Sequence, residues 1–317
     1  MTWLIRRATD DLADLDAITR IVKAVTPDDP TSVADMQWSD SVYPGETRFL
    51  AIETGSAVGS ATVGRIWAHP PEYPALWGSV HVLPEVRRRG IGSALLRAIS
   101  THARAVGKTA LHIRTSEGRP EGIAFLRRHG FVEYERSKTV RLELAGLRAP
   151  EIDPPVGSSI TSLEKRPDLV AGVHAVAVVA FPDIPSGDEP IAAGDLAEFR
   201  ARDVDRPSFP PGAFAVAVET ASDRVIGYAS LVLLPGSTTV AWHDMTAVVP
   251  DWRGRGVAGA LKRTAIAWAI THGLDALETG NDQGNAPMRA VNARLGYRPL
   301  PDEVTMRGLA DVTKVSE

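Results

Sequence analysis

Val82-Leu83-Pro84-Glu85-Val86-Arg87-Arg88-Arg89-Gly90-Ile91-Gly92 recurs in outline as Val248-Val249-Pro250-Asp251-Trp252-Arg253-Gly254-Arg255-Gly256-Val257-Ala258. The offset that maps Val82 onto Val248 also pairs Gly107 with Gly273, Ala110-Leu111 with Ala276-Leu277, and Gly130-Phe131 with Gly296-Tyr297. A repeat this long and ungapped is a duplicated domain, not a turn of a solenoid. The 317 residues therefore divide into two domains of about 150, each large enough to bury a core.

Arg148–Gly157, with Pro150, Pro154 and Pro155, breaks all periodicity. It reads as a linker (148–158) between an N-terminal domain (1–147) and a C-terminal one (159–317). Arg6–Val25 is helix-like, whereas Phe49–Ile52, Ala57–Ile66 and Trp77–Leu83 read as strands. Each signature is followed by an amphipathic helix: Ala94, Leu95, Ala98, Ile99 and Val106 form the buried stripe of the first, and Ala260, Leu261, Thr264 or Ala265, Trp268 and Ala269 that of the second. The fold class implied is α+β: two tandem domains, each a mixed, mostly antiparallel sheet flanked by helices.

Hydrophobic residues make up 44%, charged ones 23%, and the net charge is −4, so a nucleic-acid partner is not expected. The absence of cysteine excludes disulfides, thiolate metal sites and a cysteine nucleophile. The chain start lacks a signal-peptide core, and the longest apolar run, near Val173–Phe181, falls far short of the roughly 20 residues that span a bilayer. A cytoplasmic protein with no membrane partner is expected.

Between strand and helix, the signature places glycines and arginines in one short turn. Backbone N–H groups and the positive end of the helix dipole can there converge on an anion, glycine permitting close approach. Gly254-Arg255-Gly256-Val257-Ala258-Gly259 imitates a dinucleotide fingerprint, but the first copy carries Arg88 and Ser93 at the first and third glycine positions. Gly107-Lys108-Thr109 imitates the end of a P-loop, with His102 where its first glycine belongs. Neither nucleotide reading survives.

The shared Arg-x-x-Gly-x-(Gly/Ala) pattern, preceded by strand-Val-x-Pro and followed by a helix, resembles the coenzyme A loop of the GNAT superfamily of N-acyltransferases. The resemblance implies that Arg253, Gly254, Arg255, Gly256, Val257 and Ala258, and in the first half Arg87, Arg88, Arg89, Gly90, Ile91, Gly92 and Ser93, bind the pyrophosphate. The strand residues Thr246, Ala247 and Val248, with Val82 in the first half, would pair with the pantetheine arm. Asn285 and Asn292 match the family's later Asn and the helix lining the far side, although helix capping alone accounts for such asparagines.

Acyl transfer from a thioester needs a neutral amine. A lysine-like amine of pKa about 10.4 is mostly protonated at neutral pH, whereas a thiol near 8.5 leaves readily, so a base matters more than an acid. Counting back by twos from Val248 gives Thr246, Asp244 and Trp242 on one strand face, and Asp244 is the candidate base. His243 has the better pKa but faces the other way unless a bulge re-aims it. No metal site is expected there, since no further ligands recur at suitable spacing. The first half has Leu76 and Gly78 at the corresponding positions, Arg119 for Asn285 and Leu126 for Asn292, so catalysis is assigned to the C-terminal half. The tyrosine that protonates the thiolate in many relatives is replaced by Asn292, whose amide is the candidate to assist.

The acceptor pocket should include the acidic loop Phe181–Pro190, suiting a cationic amine of a small molecule. The expected activity is acetyl-CoA-dependent N-acetylation, acetyl-CoA being the acyl donor; the alternative is a non-catalytic acyl-CoA-binding regulatory or scaffold protein. A monomer or a homodimer is compatible with two such domains.

Overall fold

Each copy of the signature joins the end of a strand to a long helix. In the computed structural model, which describes residues 3–28, 31–185, 187, 189–234 and 239–311, the first half runs β1 (Trp3–Arg7), α1 (Leu12–Val25), α2 (Val33–Val42), β2 (Thr47–Glu53), β3 (Ser56–Arg65), β4 (Ala75–Val82), α3 (Ile91–Ala105), β5 (Ala110–Ser116), α4 (Pro120–Arg128) and β6 (Val132–Glu143). The second runs β7 (Ser158–Ser162), α5 (Val170–Ala180), α6 (Leu196–Phe199), β8 (Ala215–Glu219), β9 (Val225–Leu233), β10 (Val240–Val248), α7 (Val257–Thr271), β11 (Ala276–Asp282), α8 (Ala286–Arg294), β12 (Arg298–Pro299) and β13 (Glu303–Leu309). The helix expected from Arg6 starts only at Leu12. Trp3–Arg7 is instead a strand paired with β2, its Trp3 and Ile5 turned to the core at the two-residue period of a strand.

The compact units do not follow the expected split at 148–158. One gathers the chain up to Arg136 with the segment from Asp302 onward, and the other spans Ser137–Pro301. The sheet order in the first is β1-β2-β3-β4-β5-β13, and in the second β6-β11-β10-β9-β8-β7. Under the repeat offset β6 and β13 are equivalent, so each closing strand has been exchanged. The registers agree: Glu303 faces Ser116 and Ser137 faces Asp282. Val304 and Met306 are fully buried with Leu111, Ile113 and Phe131, and Leu142 packs with Leu277 and Tyr297. Burying each such side chain contributes about 1.5–3 kcal/mol, so the exchanged strands carry weight in both cores.

Two features of the second unit shape its site. Parallel pairing of β10 with β11 covers only Val240–Trp242 and Ala276–Glu278, after which the strands part. Against β9, the register of β10 shifts between His243 and Thr246, a β-bulge. In the first unit β4 and β5 also part, after Gly78 and Ile113, but β4 pairs with β3 in unbroken register from Leu76 to Val82. Among the described residues no helix is long and apolar enough to cross a membrane.

Candidate active site

The two signature loops have the same local conformation. Gly90 (φ +84°) and Gly256 (φ +92°) cap α3 and α7 in the left-handed region that glycine tolerates. Two residues earlier Gly254 has φ +74°, and its counterpart Arg88 holds φ +64°, which costs a non-glycine residue about 1 kcal/mol. The first helical hydrogen bonds run from Ala94 N–H to Gly90 O and from Ala260 N–H to Gly256 O, each 3.0 Å. The amides just before them lack intrahelical acceptors and point out of the positive helix end. Arg253 Nε donates to Val248 O at 3.0 Å, as Arg87 Nε does to Val82 O at 3.1 Å, so this arginine ties the loop to the strand it follows.

The loops differ in what covers them. In the first unit Ser93 Oγ lies 3.0 Å from His129 Nε2. His129 Nδ1–H donates to Phe125 O at 2.8 Å, so Nε2 is the acceptor and the Ser93 hydroxyl is committed to α4. A Cβ on Gly92 would stand 3.3 Å from the Phe125 ring, which shows how closely α4 covers this loop. The second unit has Gly259 and Leu295 at the Ser93 and His129 positions and makes no such bridge. Its Arg253 instead pairs with Asp183 at 2.8 Å, which engages an acid expected to face the amine; Ser186 and Asp188 of that loop lie outside the described residues.

Asp244 occupies the bulge with an exposed side chain. Its carboxyl is pushed up to about 6 by desolvation, Arg206 pulling it back. His243 is fully buried and cannot meet a substrate directly; burial, then Lys262, holds its pKa well below the ordinary value. The bulge also corrects the face count. Thr246 lies on the His243 side, with Oγ1 3.4 Å from His243 Nε2, and His243 Nδ1 is 3.4 Å from Tyr297 Oη. The Thr279 hydroxyl donates to His243 O at 2.8 Å.

The asparagines are engaged structurally. Asn285 caps α8, accepting from Met288 N–H at 3.3 Å, while Asn292 is buried and its Nδ2 donates to Asn281 Oδ1 at 2.7 Å. Three participants were not anticipated. Asp203, on the π-helical turn Arg200–Val204, is raised to about 7 by desolvation, with Arg202 opposing and Asp244 reinforcing. Both carboxylates, after burial itself, raise the phenol of buried Tyr228. Lys262 is fully buried on α7, its Nζ 5.6 Å from the Tyr297 ring centre, and desolvation lowers it to about 7. A lysine in register with the apolar stripe at Leu261, Ala265 and Ala269 was the available signal; Asp203 and Tyr228 left none.

Free amides at a glycine-capped helix start, a parted strand pair and an exposed carboxylate together fit the outline of a transferase drawing on a phosphate-bearing donor. A sequence profile of the acetyltransferase (GNAT) family matches residues 9–131 and 180–297, and the chain belongs to that family. It is similar to the mycothiol acetyltransferase of Parafrankia sp., 27% identical over 336 residues with 97% of this chain and 98% of the relative covered. The mycothiol acetyltransferase of Thermomonospora curvata is 26% identical over 292 residues, covering 91% and 92%. Among solved structures, a tandem GNAT protein from the clavulanic acid biosynthesis pathway shares the fold at TM-score 0.78 and 21% identity, covering 98% and 99%. A GCN5-related N-acetyltransferase from Sphaerobacter thermophilus does so at 0.73 and 18%, covering 97% and 96%. The chain is an acetyl-CoA-dependent N-acetyltransferase of the tandem GNAT type.

Proposed function

We propose that the second unit transfers acetyl from acetyl-CoA to the amine of a small molecule, with Asp244 as the base. The observation that carries this reading is the bulge in β10, which presents an exposed carboxylate of raised pKa where β10 and β11 have parted. The first unit has an unbroken β4, no titratable side chain at the corresponding positions and a loop covered by Phe125 and His129, which supports a structural role for it. The relatives named for mycothiol support a small-molecule acceptor.

In this mechanism the pyrophosphate rests on the amides at the start of α7 and the pantetheine arm runs along the freed edge of β10 towards Asp244. The substrate ammonium gives its proton to Asp244, directly or through one water. The free amine attacks the thioester carbonyl carbon; the C–N bond forms as the carbonyl π electrons move to oxygen, which backbone N–H groups of β10 receive. Collapse restores the carbonyl, breaks the C–S bond and expels the thiolate, and the second nitrogen proton passes to solvent, leaving the neutral amide. A carboxyl near 6 is ionised at pH 7 yet more basic than an ordinary one, which suits this role.

Asp244→Asn is expected to lower kcat about 100- to 10,000-fold with acetyl-CoA binding retained by calorimetry. In the unaltered protein kcat/KM should rise with pH through about 6, as Asp244 loses its proton, and the variant should lack this limb. Full activity in Asp244→Asn would refute the assignment.

A further inference from the structure

We infer that the Thr246 hydroxyl is the hydrogen-bond donor that receives the departing thiolate, aimed from behind by the buried pair Tyr297 and His243. The inference rests on the reading of Asp244 as base and of the α7 loop as the phosphate cradle. It answers a question the sequence leaves open, since Asn292 replaces the family's acidic tyrosine and turns its amide nitrogen to Asn281.

The direction of the hydrogen-bond chain follows from counting donors. Tyr297 is 4% exposed, and its hydroxyl has one acceptor within reach among the described residues, His243 Nδ1 at 3.4 Å. A buried phenol that stays neutral has a proton to place, so Nδ1 is the acceptor. A neutral imidazole accepting at Nδ1 carries its proton on Nε2, and that N–H points to Thr246 Oγ1 at 3.4 Å. His243 is kept neutral by complete burial and by Lys262, so Nε2 is a donor and the nitrogen pair never donates twice. With its oxygen accepting from His243, Thr246 keeps its own proton for a further acceptor, and its side chain is only half-buried. Both contacts are long, as hydrogen bonds often are before a ligand tightens them.

Order along β10 identifies what that proton meets. Asp244 is at the amine end, the cradle begins at Arg253, and Thr246 lies between them. In an acyl thioester the sulfur joins the carbonyl carbon to the phosphate-bearing arm. With the phosphates on the cradle and the amine at Asp244, sulfur lies on the cradle side of the carbonyl, the side Thr246 occupies. When the C–S bond breaks, its electron pair goes to sulfur, and the Thr246 O–H donates a hydrogen bond to the thiolate without transferring its proton. The thiolate is protonated later by solvent, at small cost for a thiol near 8.5. Thr246 would be a catalytic residue, and His243 and Tyr297 positioning residues.

The test compares Thr246→Val, Thr246→Ser and Tyr297→Phe in the full chain, following thiol release from acetyl-CoA with an amine the unaltered protein accepts. Thr246→Val should lower kcat about 10- to 100-fold, the range for a hydrogen bond to a charged group, with KM for acetyl-CoA unchanged and the pH limb near 6 retained. Thr246→Ser should restore most of the loss, and Tyr297→Phe should fall between. Nitrogen NMR of the unaltered protein should find His243 protonated on Nε2. Wild-type kcat in Thr246→Val, a loss confined to KM for acetyl-CoA, or a His243 proton on Nδ1 would each overturn the inference. Asp244→Asn run alongside reports on the underlying reading alone: if it is inactive while Thr246→Val is fully active, only the Thr246 assignment falls.

Discussion

Gly256 and Gly90 occupy the same backbone conformation at the start of α7 and α3, yet the two positions should answer differently to substitution. Valine at either is strained in the left-handed region, and nothing closer than 3.7 Å meets the added Cβ at Gly90 or 3.9 Å at Gly256, so strain rather than collision sets the structural penalty. If the second unit holds the donor, Gly256→Val should abolish acetyl-CoA binding in calorimetry while Gly90→Val leaves one site per chain; loss of binding with Gly90→Val would place the site in the first unit. Arg88 tests the same backbone in reverse. Its φ of +64° is one a glycine would hold without strain, so Arg88→Gly should not destabilise the chain and should gain up to about 1 kcal/mol in denaturant unfolding. That a carboxylate stands a few residues before the loop was legible in the sequence. That His243 is sealed and Thr246 stands beside it was not, because a bulge needs two strands to exist.

At the scale of the element, α7 carries both the glycine-capped start of the signature and an ionisable side chain inside the core. Lys262 titrates near 7 in the folded chain, against the usual 10.5 once unfolded. Between those values the unfolded chain binds more protons, so stability rises with pH across that window; the penalty is fully present below about 7 and gone above 10.5. Lys262→Met should therefore stabilise the protein at neutral pH by about 2–4 kcal/mol and flatten the rise of unfolding free energy between pH 7 and 10. An unchanged slope would mean that the lysine finds compensation elsewhere in the folded state. The apolar stripe of α7 was readable, and so was the lysine's registration with it. Its complete burial depended on β10 and Tyr297 closing over it, which no helical period contains.

At the scale of the molecule, the duplication is legible to the residue, but the compact units cut across it. Strands β6 and β13 occupy equivalent sheet positions with equivalent registers, so each sheet offers the same pattern to either strand, and local sequence cannot choose between them. A chain ending at Pro301 would leave the edge of β5 unpaired and Leu111 and Ile113 without Val304 and Met306. Scanning calorimetry should then show the transition of the first unit lowered or lost, while the unit spanning Ser137–Pro301 retains its transition and its stabilisation by acetyl-CoA. Two unaltered transitions would show that β13 contributes little to the first core.

What the amino-acid order determined by itself is what repeats at fixed spacing, two domains and a glycine–arginine turn between strand and helix, together with a carboxylate a few residues before that turn in the second copy alone. These are local, because a left-handed turn, a helix end and an alternating strand are each specified within a few residues. Tertiary structure alone decided the bulge, the exchange of closing strands, the sealing of His243 and the raised carboxyls of Asp244 and Asp203. Each of those arises between segments far apart in the chain, where pairing, exclusion of water and the proximity of a second charge act only after the sheet has closed.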